Sequence, residues 1–145
     1  IFAAERQAGY QLSLLLHGIT YRPDYAIEME RVNSNDASLI QLLSCEDRPT
    51  AFVVSEDMLA LALERACNKL HLSIPDDISI IAFNNSLYSE LAAPQLTAVD
   101  INSYQLGQEV AMQIISYLEN PNLRPTKIIV PHKIVPRNSC KRIDV

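Results

Sequence analysis

Two short apolar runs, each closing in a cluster of small polar residues, constrain this chain more than any other feature. The first is Ala51-Phe52-Val53-Val54, followed by Ser55-Glu56-Asp57. The second is Ile78-Ser79-Ile80-Ile81-Ala82-Phe83, followed by Asn84-Asn85-Ser86. Between them, over Met58 to Leu70, Leu59, Leu63, Ala66, Cys67 and Leu70 recur at helical spacing. A strand, a crossover helix and a second strand place the two strands parallel in one sheet, because such crossovers are right-handed and return to the same sheet. Both polar clusters then fall at the carboxyl edge, where open α/β sheets bind ligands.

The flanking segments extend the same alternation. Glu5 to about His17 reads as a helix with Ala8, Leu12, Leu15 and Leu16 as an inward stripe and Gly18 as its stop. After a turn at Arg22-Pro23-Asp24, Tyr25 to Glu30 alternates apolar and polar residues, the pattern of a strand exposed on one face. Ser34-Asn35-Asp36 offers helix caps ahead of Leu39, Ile40, Leu42 and Leu43. Leu96 to Val99 is a further strand, and Asn102 or Ser103 caps a helix running to Glu119, with Asn102 and Gln105 at capping-box spacing. In that helix Leu106, Val110, Ile114 and Leu118 recur every fourth residue, and Asn120-Pro121 ends it. Lys127 to Val130 and His132 to Val135 read as two closing strands divided by Pro131. The expected class is α/β, a doubly wound and mostly parallel sheet.

Composition removes several function classes. At 145 residues and 48% hydrophobic, the chain is the size of one ordinary domain. Its apolar runs are far too short to span a membrane. A net charge of −5 argues against these residues gripping nucleic acid, since phosphate contacts demand a basic face. With three glycines (Gly9, Gly18 and Gly107) there is no phosphate-cradling loop, no dinucleotide fingerprint and no nucleophile elbow. Cys45, Cys67 and Cys140 are an odd number without framework spacing, so they are expected to be buried thiols of a reducing cytoplasm. Cys67 and His71 could share a helix face, but no further ligands stand at metal spacing. Neither a metal nor another cofactor is expected.

The polar clusters admit two readings. Structurally, Ser55 is an N-cap, Glu56 and Asp57 complement the helix dipole, Asn84-Asn85-Ser86 is a turn, and Arg6 lies on a solvated helix face. Functionally, Glu56 and Asn84 end strands expected to be close in one sheet. A carboxylate, an amide and a guanidinium together make a good hydroxyl-binding set.

A resemblance bears on the choice. Arg48-Pro49-Thr50-Ala51, Ser55 to Leu61 and Ile74 to Asn85 are similar to the effector-binding half of LacI-type bacterial transcription regulators. Pro94 to Val99, Leu106-Gly107 and the tail from Pro131 to Ser139 continue the similarity in order, and Arg6-Gln7-Ala8-Gly9-Tyr10 resembles the arginine-containing helix that opens that half. The resemblance implies two periplasmic-binding-protein-like lobes with a saccharide effector between them, this chain supplying the carboxyl-terminal lobe. Residues 1–100 would form that lobe, 101–126 would belong with the other lobe, and 127–145 would return. Arg6, Glu56 and Asn84 would bind the effector, with Glu56 where many relatives carry Asn and Asn84 where many carry Asp. Phe83-Asn84-Asn85-Ser86 looks most like repressors of maltose operons. Leu59, Leu63 and Ala66 would face a partner chain in a homodimer, or else pack on the domain's own sheet. Operator DNA would be read by a helix-turn-helix headpiece outside these residues, in the cytoplasm, with saccharide shifting the lobes between orientations. The helix over 102–119 should then carry an orphaned apolar stripe. The rival expectations are a free periplasmic sugar-binding protein of the same fold and an α/β enzyme.

Overall fold

The computed structural model describes residues 2–28 and 37–142. Its elements run α1 (Phe2–Leu16), a 3-10 turn (Pro23–Tyr25), α2 (Ala37–Ser44), β1 (Ala51–Val54), α3 (Asp57–Lys69), β2 (Ser79–Phe83), α4 (Leu87–Leu91), β3 (Thr97–Asp100), α5 (Ser103–Glu119) and β4 (Lys133–Val135). The sheet order is β1-β2-β3-β4. The first two pairings are parallel and the last is antiparallel, so the sheet is mixed but mostly parallel, as the sequence predicts.

The core lies between one face of this sheet and the helices α2, α3 and α4. Alternation along β2 buries Ile80 and Ala82 and leaves Ser79, Ile81 and Phe83 half-buried on the opposite face. Ile80 and Ala82 meet Leu63, Ala66 and Cys67 of α3 and Leu39 and Leu43 of α2 in one buried cluster, closed by Ile78 and Leu96. Removing this apolar surface from water is the main stabilising term, at about 1.5–3 kcal/mol for each large side chain. Leu63 and Ala66 are therefore not available to a partner chain: both are buried in the domain's own core, and only Leu59 of the three expected interface residues is half-buried. A residue with no exposed surface has nothing to offer across a dimer interface.

Several other expectations need correction. The strand expected over Tyr25 to Glu30 begins instead as the 3-10 turn, with Pro23 presetting the first helical φ. Met29 and Glu30, like the caps expected at Ser34-Asn35-Asp36, lie outside the described residues. Lys127 to Val130 forms no strand, and Ile129 stands 78% exposed. The stripe on α1 does not point inward, since Ala8, Leu12, Leu15 and Leu16 are all exposed. Of the cysteines only Cys67 is buried, and burial pushes its thiol up to about 11, whereas Cys45 and Cys140 are exposed. His71 does not share a helix face with Cys67, because it lies beyond the end of α3 with φ +57. The expected orphaned stripe on α5 is present: no residue of that helix is buried, and Leu106, Val110, Ile114 and Leu118 are exposed. Among the described residues, no helix is long and apolar enough to cross a membrane.

Candidate functional site

The carboxyl edge of the sheet is built by two loops of different construction. After β1 the chain passes Ser55 and enters α3 at Glu56, whose extended backbone makes it the N-cap residue although its side chain caps nothing. The cap thus falls one residue later than Ser55. Asp57, 4% exposed, takes the Ser86 N–H at 2.8 Å and the Ser89 hydroxyl at 3.4 Å. It fastens the second loop to the start of α3, and its carboxylate is engaged within the fold.

After β2 the chain turns through Asn84 and Asn85, with φ +91 and +52. Asparagine is among the few non-glycine residues that enter this region readily, which is why the pair stands here. The Asn84 N–H still reaches the Val99 carbonyl at 3.0 Å, extending the β2–β3 ladder by one bond before the chain swings away. Ser86 then caps α4, its hydroxyl accepting the Tyr88 N–H at 3.2 Å.

Arg6 comes from α1 and joins the two loops. Its guanidinium lies over the Phe83 ring, 4.5 Å from the centroid. One nitrogen donates to the Ser55 carbonyl and another to the Asn84 side-chain oxygen at 3.1 Å. The structure therefore brings Arg6 and Asn84 into direct contact. Glu56, exposed, is the residue next to the carbonyl that Arg6 holds, but its side chain forms no hydrogen bond or ion pair with Arg6 or Asn84. A groove of about 440 Å³ runs beside this junction, lined by Glu5, Arg6, Gly9, Tyr10, Ser13, Val53 and Phe83. Glu56 and Asn84 lie outside that lining. The remaining guanidinium N–H groups and the Asn84 amide nitrogen can donate to an oxygen-rich guest, and the Phe83 and Tyr10 rings offer apolar faces.

A second concavity of about 420 Å³ is lined by Arg22, Tyr25, Glu28, Gln41, Cys45 and Asp47, among others. Its Arg22 already bonds Asp47 at 2.6 Å and Asp24 at 2.7 Å and lies over Tyr25 at 4.0 Å. These hydrogen bonds hold both carboxyls below the usual range. With its cation already paired with two carboxylates of its own lining, this hollow has less to offer a ligand than the Arg6 junction. Among the described residues there is also no cluster of side chains that could hold a metal ion.

Two residues of the framework behind the sheet edge were not singled out from the sequence. Arg137 bonds the Asn85 side-chain oxygen at 2.8 Å, and Ser139, fully buried, links β2 to β3 by donating to the Ile80 carbonyl and accepting the Thr97 N–H. Both come from the tail whose similarity had been noted, but a contact across 52 residues leaves no local spacing to read.

Comparisons with known proteins agree with this fold. Residues 2–140 match the family of periplasmic binding protein-like domains. Catabolite control protein A of Priestia megaterium is 30% identical over 95% of this chain, which spans 42% of that protein. The crystal structure of the transcription regulator CcpA of Lactococcus lactis superposes with TM-score 0.80 at 30% identity, covering 96% of this chain and 51% of that one. A sugar-binding transcriptional regulator of the LacI family from Escherichia coli, complexed with phosphate, does so with TM-score 0.80 at 26% identity, covering 94% and 49%. These matches are regulators rather than enzymes, and the chain spans about half of their length or less. The chain belongs to the periplasmic binding protein-like domains, in the form found as the effector-binding domain of LacI-type transcriptional regulators.

Proposed function

We propose that this chain is the carboxyl-terminal, effector-sensing lobe of a cytoplasmic repressor whose effector is a saccharide. The observation that carries the reading is Arg6, which ties α1 to both loops of the sheet edge through Ser55 and Asn84 while keeping donors free. Hydroxyl groups need this kind of fixed donor array, and a ring face beside it suits the apolar face of a sugar. The sugar-binding relative from Escherichia coli supports the ligand class. Glu56, at the rim, would accept from hydroxyls of a guest large enough to reach it.

In this reading residues 1–100 and 127–145 form one lobe and 101–126 belong with a second. The absence of any buried residue on α5 supports that division. Saccharide held between the lobes favours one relative orientation and so alters operator affinity through a headpiece elsewhere in a homodimer. The narrower assignment, a maltose operon, rests on the string Phe83 to Ser86.

A thermal-shift screen of mono- and disaccharides, maltose included, on the full-length protein tests the proposal. A true effector raises the melting temperature by mass action and changes operator affinity in a gel-shift assay. Arg6→Ala should weaken its binding about tenfold or more, the loss carried by one or two hydrogen bonds to a charged group. If no saccharide alters either readout, or if Arg6→Ala binds as tightly as the parent, the reading is wrong.

A further inference from the structure

The turn that presents Asn84 is gripped from both ends of the chain. Arg6 holds the Asn84 side chain, and Arg137, 11% exposed, holds that of Asn85. Arg137 is itself anchored: one nitrogen donates to the Leu96 carbonyl at 2.8 Å and its backbone N–H donates to the Thr97 hydroxyl at 3.0 Å. Glu90 on α4 lies 3.5 Å from the same nitrogen that bonds Asn85. The rigid fork of an arginine is what allows one side chain to fix a strand end and a turn amide together.

The turn gains from such a clamp. Two successive residues at positive φ are costly for most L-residues; asparagine lowers that cost, and the bond from Arg137 adds a second hold on Asn85. Asn85 cannot leave this conformation without breaking the bond to Arg137. If it did leave, Asn84 would lose the direction that brings its oxygen to Arg6.

We infer that Arg137 is a positioning residue for effector binding: it touches no ligand, but by clamping Asn85 it fixes where the Asn84 amide stands beside Arg6. The inference rests on the proposed saccharide reading. Loss of the clamp lowers affinity by letting the amide sample other directions, and it blurs discrimination between epimeric sugars for the same reason.

Arg137→Gln and Arg137→Lys in the full-length protein test this, with Ser139→Ala as the control. Ser139 belongs to the same tail and ties the same strands, but it does not touch the turn. Calorimetric titration with the saccharide identified in the thermal-shift screen, and with its epimer, gives affinity and selectivity. Unfolding curves of each variant give the accompanying loss of stability. Arg137→Gln is expected to weaken binding by about tenfold or more and to narrow the preference between epimers, whereas Ser139→Ala, though less stable than the parent, retains both. Arg137→Lys keeps the charge near Glu90 but not the fork, and falls between. A smaller loss in Arg137→Gln, or the same losses in Ser139→Ala, overturns the positioning role while leaving the saccharide reading intact. A parent protein that binds no saccharide overturns both.

Discussion

Two helices in this chain end in one hydrogen-bond pattern on two different residues. At the end of α1 the Ile19 N–H reaches the Leu14 carbonyl and the Gly18 N–H that of Leu15, with Gly18 at φ +69. At the end of α3 the Leu72 N–H reaches Cys67 and the His71 N–H reaches Asn68, with His71 at φ +57. Both are Schellman motifs, in which the left-handed position favours glycine because it has no Cβ to crowd the following carbonyl. Gly18 meets that demand and was readable as a stop; His71 does not, so nothing in its residue type marked the end of α3. His71→Gly should therefore stabilise the domain by roughly 0.5–1 kcal/mol, the relief of left-handed strain less the added freedom of the unfolded chain. Urea unfolding of parent and variant measures it. A destabilised variant would mean that the exposed imidazole makes a contact worth more than the strain. At this scale the candidate site was also partly legible. Asn84 was named from residue type and strand-end position and Arg6 through the family resemblance, and the two do meet. Glu56 was named on the same grounds as Asn84 and stands apart, because strand-end placement fixes where a residue starts, not where its side chain turns.

Elements were legible where one period dominates and one partner is near in sequence. β1, α3 and β2 follow the apolar runs closely, since a crossover unit packs upon itself. Tyr25 to Glu30 and Lys127 to Val130 carried strand-like patterns without becoming strands over their described residues, because a pattern records which faces are apolar but not whether an edge is free to pair. The α3–α4 junction shows a further kind of information the pattern cannot hold. Glu64, 8% exposed on α3, accepts the Ala93 N–H at 3.2 Å just beyond α4, and burial pushes its carboxyl above the usual range. The folded protein then holds this proton to higher pH than the unfolded chain does. Between the two values the folded state binds more protons, so stability declines as pH rises through that window and the contribution is gone above the folded value. Glu64→Gln keeps an oxygen for Ala93 and removes the titration. Its stability relative to the parent should rise between pH 4 and 8, as followed by thermal unfolding across that range. A constant difference would show that the carboxyl titrates as it does in the unfolded chain.

The molecule as a whole is packed on one side and open on the other. α2, α3 and α4 close the core over one sheet face, whereas α1 and α5 present Leu12, Leu15, Leu16, Val110, Ile114 and Leu118 to solvent. Scattered exposed leucines are ordinary, but rows of them along two helices mark surface that something covers. In the proposed division that cover is the second lobe, and α5 belongs to it. The two halves of this claim separate in one experiment. In the isolated 145-residue chain Ile114 is 56% exposed on a helix with no buried residue, so Ile114→Ala should change stability by no more than about 0.5 kcal/mol. Ile80→Ala, at the centre of β2, should cost about 2–5 kcal/mol in the same chain, since it leaves a cavity among Leu63, Ala66 and Cys67. In the full-length protein Ile114→Ala should become costly as well, reaching the same range, because a covered isoleucine leaves a cavity when it is truncated. Urea unfolding of both variants in both contexts reads this directly. If Ile114→Ala stays harmless in the full-length protein, then α5 is bare there too, and the assignment of residues 101–126 to a second lobe fails.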